Sequence, residues 1–394
     1  MSDRAPVPPF TAEHERLRLE MRRFVRERLH PHADEWEEAE WFSNEAFGWL
    51  AEAGYLGLRF APEYGGRGDT VAAAVFVEEM ARCGSGGLAA GLGAHTGIAL
   101  PPIATFGTEA QKERYLVPGL RGELIAALAI TEPGAGSDVA GIRTRATPVD
   151  GGWLVNGAKT FITGGVRADV LVTAVRTDDG GQPDDSCGAH SGEAGRRARA
   201  RHEGISFLIV EKSAGVRASP LRKLGWHASD TAEIGFDDVF VPAENLLGRE
   251  NEGFYLIMAN FQWERLLMAL GAVGAMQACF EQTLRFVTGR EDLRTQQATR
   301  HRMAEIALEL EAGRDVTYAA LRRHLAGEDA VREVTVAKLR TQRSAFDVID
   351  ACVQIHGLDA PAELERALRD ARLGPIGGGT DEIMKEILGR SMGL

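Results

Sequence analysis

The sequence has few cysteines, no clustered metal ligands and no long apolar run, and each absence removes a class of protein. Its four cysteines, Cys83, Cys187, Cys279 and Cys352, are far apart and form no C-x-x-C pair. They suggest neither a disulfide framework nor a zinc site. The ten histidines include no H-x-x-x-H or H-E-x-x-H spacing, so no metal site is expected. No stretch approaches the roughly 20 apolar residues that span a bilayer. The N-terminal MSDRAPVPPF lacks the apolar core of a secretory signal. Lys and Arg number 45 against 57 Asp and Glu, giving a net charge of −12. That balance speaks against a broad nucleic-acid or anionic-membrane surface. The expectation is a reduced, cytoplasmic protein.

What is present is ordinary for a globular chain: 394 residues, 44% hydrophobic and 26% charged. That length exceeds one ordinary core, so two or three domains are expected. Residues 11–53 read as helical, with Leu17, Met21, Phe24, Val25 and Leu29 at amphipathic spacing. After a turn-rich stretch, 70–120 read as helical again. Near 122 the character changes. Leu124 to Ile130, Trp153 to Val155, Val170 to Val175, Ile205 to Val210 and Ala232 to Phe236 are short and β-rich. Residues 177–204 have little apolar content and read as a long surface loop. From about 251 the helical pattern returns. The predicted organisation is an α domain over 1–122, a β domain over 123–243 and a helical bundle over 244–394, an α+β class.

Four stretches could carry chemistry. Thr131-Glu132-Pro133-Gly134-Ala135-Gly136-Ser137-Asp138 follows an apolar strand. Its glycines allow a backbone to approach a ligand and its hydroxyls supply donors, but it matches neither G-x-G-x-x-G nor a P-loop. A tight turn is the alternative reading. Lys159-Thr160-Phe161-Ile162-Thr163 could flank a planar group or simply end a strand. Glu264 lies on the apolar stripe of a helix, so it is either ion-paired or has a raised pKa from desolvation. A raised pKa suits a general base near neutrality. Gly377-Gly378-Gly379-Thr380-Asp381-Glu382 leads into a helix, as an anion-binding N-terminus or an ordinary cap.

In this order these stretches resemble the acyl-CoA dehydrogenase family over nearly the whole chain. Pro62-Glu63-Tyr64-Gly65-Gly66-Arg67-Gly68, Leu224-Gly225-Trp226-His227-Ala228-Ser229-Asp230-Thr231 and Val241-Pro242-Ala243-Glu244-Asn245-Leu246-Leu247-Gly248 complete the set. The resemblance implies an N-terminal helical domain, a central β-barrel-like domain and a C-terminal four-helix bundle, assembled as a homodimer or homotetramer. It implies FAD between the β domain and the C-terminal helices, and an acyl-CoA or acyl-carrier-protein thioester as substrate. In such an enzyme a carboxylate takes the α-proton while the β-hydrogen leaves as hydride to flavin N5, giving the trans-2-enoyl thioester. An electron-transferring flavoprotein is the family's electron acceptor.

Carried over by that resemblance, Ile130, Thr131, Gly136, Ser137, Phe161, Ile162, Thr163, Arg290, Gln354, Gly357, Thr380 and Glu382 contact the cofactor. Ser137, Arg265, Gly378 and Gly379 contact the substrate. Most members place the base just before the Gly-Thr pair, where this chain has Gly378. The isovaleryl and long-chain branches place it on the first long C-terminal helix, where this chain has Glu264. Glu264 is therefore the expected base. Two segments depart from the family. Leu293 and Arg294 stand where Phe-Gly follows the Arg, and Leu358 and Asp359 follow Gly357 in the Gln354 segment. The family uses both around the adenosine and pyrophosphate of FAD. This leaves two competing expectations: a protein of the same fold with lost or weakened FAD binding, doing non-redox acid–base chemistry or binding on an acyl thioester, and a flavin monooxygenase or oxidase on the same fold.

Overall fold

The computed structural model describes residues 7–178 and 203–394. Most of the loop expected at 177–204 lies outside the described residues. The N-terminal part is helical. Helix α1 (Ala12–Phe24) opens on a capping box between Thr11 and His14 and buries Leu17 and Met21. Helices α2 (Thr70–Met80) and α3 (Gly86–Ala94) are capped by the side chains of Asp69 and Ser85. The small residues of α3 allow close packing against its neighbours.

Among the described residues, the middle of the chain forms one mixed sheet of eight strands. They are β1 (Ala126–Ala129), β2 (Arg145–Val149), β3 (Gly152–Ile162), β4 (Val170–Arg176), β5 (Ile205–Glu211), β6 (Val216–Pro220), β7 (Ala232–Pro242) and β8 (Leu246–Leu247). Along the sheet the order is β6-β7-β3-β2-β4-β5-β8, with β1 pairing parallel to β4. Strand β4 is buried along its whole length, as expected where a strand is covered on both faces. The β8 pairing with β5 carries the sheet past residue 243, through Leu246 and Leu247.

Three long helices follow: α4 (Gly253–Thr288), α5 (Gln297–Leu325) and α6 (Val331–His356). Two shorter ones, α7 (Ala362–Ala371) and α8 (Asp381–Ser391), close the chain. Among the described residues, no helix is long and apolar enough to cross a membrane.

Polar clamps join the three parts. Arg167, beside the sheet, pairs with Asp230 at 2.8 Å and donates to Phe42 O and Asn44 Oδ1 at 2.9 and 2.8 Å. Asp370 on α7 accepts from the amides of Trp226 at 2.6 Å and Gly86 at 3.0 Å. Burial raises the Asp370 carboxyl to about 6. These contacts fix the helical parts against the sheet, and the cavity described next lies at their junction.

Candidate active site

A cavity of about 320 Å³ runs between α2, α3 and α4 and reaches α6 and α7. One stripe of α4 lines it: Glu264, Met268, Gly271, Ala275 and Cys279. At 1.5 Å per residue, Glu264 to Cys279 spans about 22 Å. The facing wall carries Ala73, Val77 and Met80 of α2 and Ala89 and Gly93 of α3. The cavity is therefore long and mostly apolar, with Glu264 near one end and Gln282, Glu363 and Asp370 toward the other. At its end Glu264 meets Thr163 from the end of β3 and Gly378 from the loop before α8.

Glu264 is 8% exposed. Burial pushes its carboxyl up to about 7, opposed by the Asn260 hydrogen bond and by Arg265. Asn260 Nδ2 donates to Glu264 Oε1 at 2.6 Å from one helical turn earlier. Among the described residues Glu264 forms no ion pair, so of the two readings open from sequence, the desolvated carboxyl is the one observed. Arg265 is also buried, with its guanidinium 5.3 Å from the Phe261 ring. Its Nε is buried without a hydrogen-bond partner, and burial lowers its pKa.

The loop before α8 needs its glycines. Gly378 and Gly379 have φ of +63° and +94°, a region open to glycine and costly for other residues. A Cβ on Gly379 would lie 2.7 Å from Met384 Cε. Among the described residues, the amides of Gly378, Gly379 and Thr380 donate to no group of this chain. Unpaired backbone donors beside a cavity invite an oxygen acceptor. The Thr380 side chain caps α8 by accepting from Ile383 N, and Glu382 is exposed, 3.8 Å from Lys385.

The residues around 130–163 form a second cluster. Lys159 is fully buried and donates to Ile130 O at 2.9 Å and Glu132 at 2.8 Å. Glu132 in turn accepts from the amides of Arg143 and Thr144. The Thr160 amide donates to Thr131 O at 2.8 Å, so Ile130–Thr131 is held beside Lys159–Thr160, at the start of the stretch that leads to Ile162–Thr163. Ile162 is buried, whereas Phe161 is 69% exposed at φ +58°. A large aromatic held out at a costly backbone angle suits a stacking surface. Gly136 and Ser137 lie in an exposed turn and do not line the Glu264 cavity.

Arg290, Gln354 and Gly357 stand apart from the cavity. Arg290 is held by Asp292 at 3.1 Å and Asp359 at 2.7 Å. Gln354 donates to Asp350, and Gly357 ends α6 at φ +58°. The two departing segments are thus bound to each other. Sequence reasoning missed Asn260, whose signal was its position four residues before a candidate carboxylate.

Comparison with known proteins names the family. Models of the acyl-CoA dehydrogenase N-terminal, middle and C-terminal domains match residues 11–123, 127–239 and 251–393. The chain belongs to the acyl-CoA dehydrogenase family. It is 35% identical to the long-chain specific acyl-CoA dehydrogenase of Mus musculus mitochondria, over 97% of this chain and 87% of that one. Isovaleryl-CoA dehydrogenase of Arabidopsis thaliana mitochondria is 33% identical over 94% of this chain and 88% of that one. The crystal structure of an acyl-CoA dehydrogenase from Geobacillus kaustophilus superposes with a TM-score of 0.90 at 36% identity, covering 99% of this chain and 100% of that one. The expected fold is therefore the fold present.

Proposed function

We propose that this protein is an FAD-dependent dehydrogenase that introduces the 2,3-double bond into a long-chain acyl thioester, carried on CoA or on a carrier protein. The observation that carries the reading is a buried carboxyl, Glu264, with no ion pair among the described residues, near one end of a long, mostly apolar cavity.

FAD fits the catalytic end. Thr163 lines the cavity and Phe161, two residues earlier, is exposed, a donor and an aromatic face suited to a flavin ring. Bound there, FAD supplies the oxidant that accepts the β-hydrogen with its electron pair. The adenosine end is different: Arg290 is already satisfied by Asp292 and Asp359, so a pyrophosphate must compete with two carboxylates of this chain.

The chain's own groups do the rest. Glu264, as the carboxylate, takes the α-proton onto an Oε atom, and the C–H electron pair moves toward the thioester carbonyl. Amides of the Gly378–Thr380 loop are available to receive the charge that develops on that oxygen. Asn260 holds one Glu264 oxygen and leaves the other free. The apolar walls exclude water, which keeps the base near neutrality in strength. An extended chain advances about 1.2 Å per bond, a third of the backbone repeat, so ~22 Å accommodates about 18 carbons.

An electron-transferring flavoprotein as acceptor, assembly as dimers or tetramers and a cytoplasmic location belong to the same reading. The test is anaerobic titration of the FAD-loaded protein with acyl-CoA of 4, 8 and about 18 carbons, the last length set by the cavity estimate. Bleaching of the flavin band by the longest chain at the lowest concentration is expected. A protein that takes up no FAD, or whose flavin ignores all three, contradicts the proposal.

A further inference from the structure

Lys338 lies about two turns into α6 and is fully buried. Its Nζ donates to Gly374 O at 2.8 Å and Gly379 O at 2.6 Å. Among the described residues no carboxylate reaches ion-pair distance. Burial lowers the ammonium to about 8; Asp381 and Glu382 raise it and Arg265 lowers it further. A buried ammonium held only by carbonyls is costly, and an apolar side chain of similar volume commonly serves stability better. The loop it grips explains its presence.

Gly374 and Gly379 are the two ends of the segment that brings Gly378 to the Glu264 cavity. Within the segment, Ile376 and Gly377 bond back to Leu373, and the Asp381 amide bonds to Pro375 O. These bonds leave Gly378 and Gly379 without an anchor of their own, and glycines lose the most backbone freedom on ordering. Lys338 supplies that anchor. A trans peptide holds its C=O and N–H on opposite sides. With Gly379 O turned to Lys338, the Thr380 N–H of the same peptide points away from it.

We propose that Lys338 is a positioning residue for the reaction: by fixing Gly374 O and Gly379 O it holds the loop so that its unpaired amides, that of the cavity-lining Gly378 foremost, meet the thioester carbonyl. This rests on the reading of the cavity as a thioester site. It acts through the loop rather than by touching substrate, so its loss falls on proton removal more than on binding.

The test uses the FAD-loaded protein without an electron acceptor. Deuterium exchange at the α-carbon of a saturating acyl-CoA is followed by NMR. The infrared stretch of the bound, ¹³C-labelled thioester carbonyl is recorded alongside. In Lys338→Met the exchange rate at saturation should fall by roughly 100-fold, the scale of one lost oxyanion donor. The carbonyl stretch should return toward its frequency in water and the Kd should change by no more than a few-fold, about the size of one neutral hydrogen bond. Lys338→Arg should recover part of both signals. Wild-type exchange and carbonyl frequency in Lys338→Met overturn the proposal, as does a loss confined to Kd. Should Lys338→Met fail to fold, Lys338→Gln decides, because its amide reaches one carbonyl and not both: an intermediate rate supports the role and a wild-type rate overturns it. A wild-type protein that exchanges no α-proton defeats the thioester reading itself, whatever the variants do.

Discussion

Asn260 donates to Glu264 across one turn of α4, at 2.6 Å. The same amide nitrogen lies 3.3 Å from Ile98 O. The buried carboxyl is therefore oriented by its own helix, and that amide is in turn held by the N-terminal part.

This relationship sets the pH dependence. Glu264 works as the carboxylate, so kcat/KM should rise with pH through about 7. The Asn260 hydrogen bond favours the charged form, and Asn260→Leu removes it. The limb should move upward by about 1–2 units, the worth of a hydrogen bond to a charged group. A pH–rate profile of the two proteins checks this; an unmoved limb separates Asn260 from the base.

The same carboxyl carries a stability cost. Its folded pKa is raised above the ordinary glutamate range to about 7, so the stability that protonation brings is fully present below that ordinary range and is lost as pH rises through about 7. Glu264→Gln should therefore be more stable than wild type at pH 8, by up to about 3 kcal/mol, and nearly equal at pH 4. Denaturant melts at the two pH values measure the difference.

Chain length should yield to one substitution. A Cβ on Gly93 meets nothing within 4 Å, and Gly93 lines the cavity. Gly93→Leu should fold normally, fill the cavity and move the preference toward short acyl chains. Loss of long-chain turnover by roughly 10-fold or more, with short-chain turnover retained, is expected for a clash of a few methylenes. An unchanged chain-length profile places the acyl chain elsewhere.

The Arg290–Asp359 pair, at 2.7 Å, predicts a gain of cofactor affinity. Asp359→Asn relieves one of the two carboxylates on the guanidinium and leaves it freer for a phosphate. FAD should bind several-fold more tightly, and more so at low salt. Fluorescence titration of the apoprotein with FAD measures it, and equal or weaker binding shows that Arg290 does not meet the cofactor within its own chain.

Arg167 and Asp230 test the frame. Both side chains are about 1% exposed, and removing one leaves the other charge buried alone. Asp230→Ala should cost about 3–5 kcal/mol, seen as a fall in Tm.

Much of this was legible in the chain. The change from helical to β-rich to helical character located the sheet, and a charge on the apolar stripe singled out Glu264. The short strands Arg145–Val149 and Val216–Pro220 were not found: most of their residues are polar, proline or exposed, and they gain their strand character from the partners β3 and β7. The pairing of Arg290 with Asp359 joins residues remote in sequence, and no local pattern reports it. Lys338 reads as an ordinary lysine of a helix with polar neighbours. Only the return of the chain at Gly374–Gly379 turns that position into a buried one.

The central claim is that Glu264 removes the α-proton. The most direct measurement is α-deuterium exchange of a long-chain acyl-CoA by wild type and by Glu264→Gln, both loaded with FAD and at saturating substrate. The account predicts exchange in wild type and a loss of roughly 10²–10⁴-fold in the variant, the scale of general-base catalysis, with the flavin spectrum retained. Exchange at the wild-type rate in Glu264→Gln contradicts it.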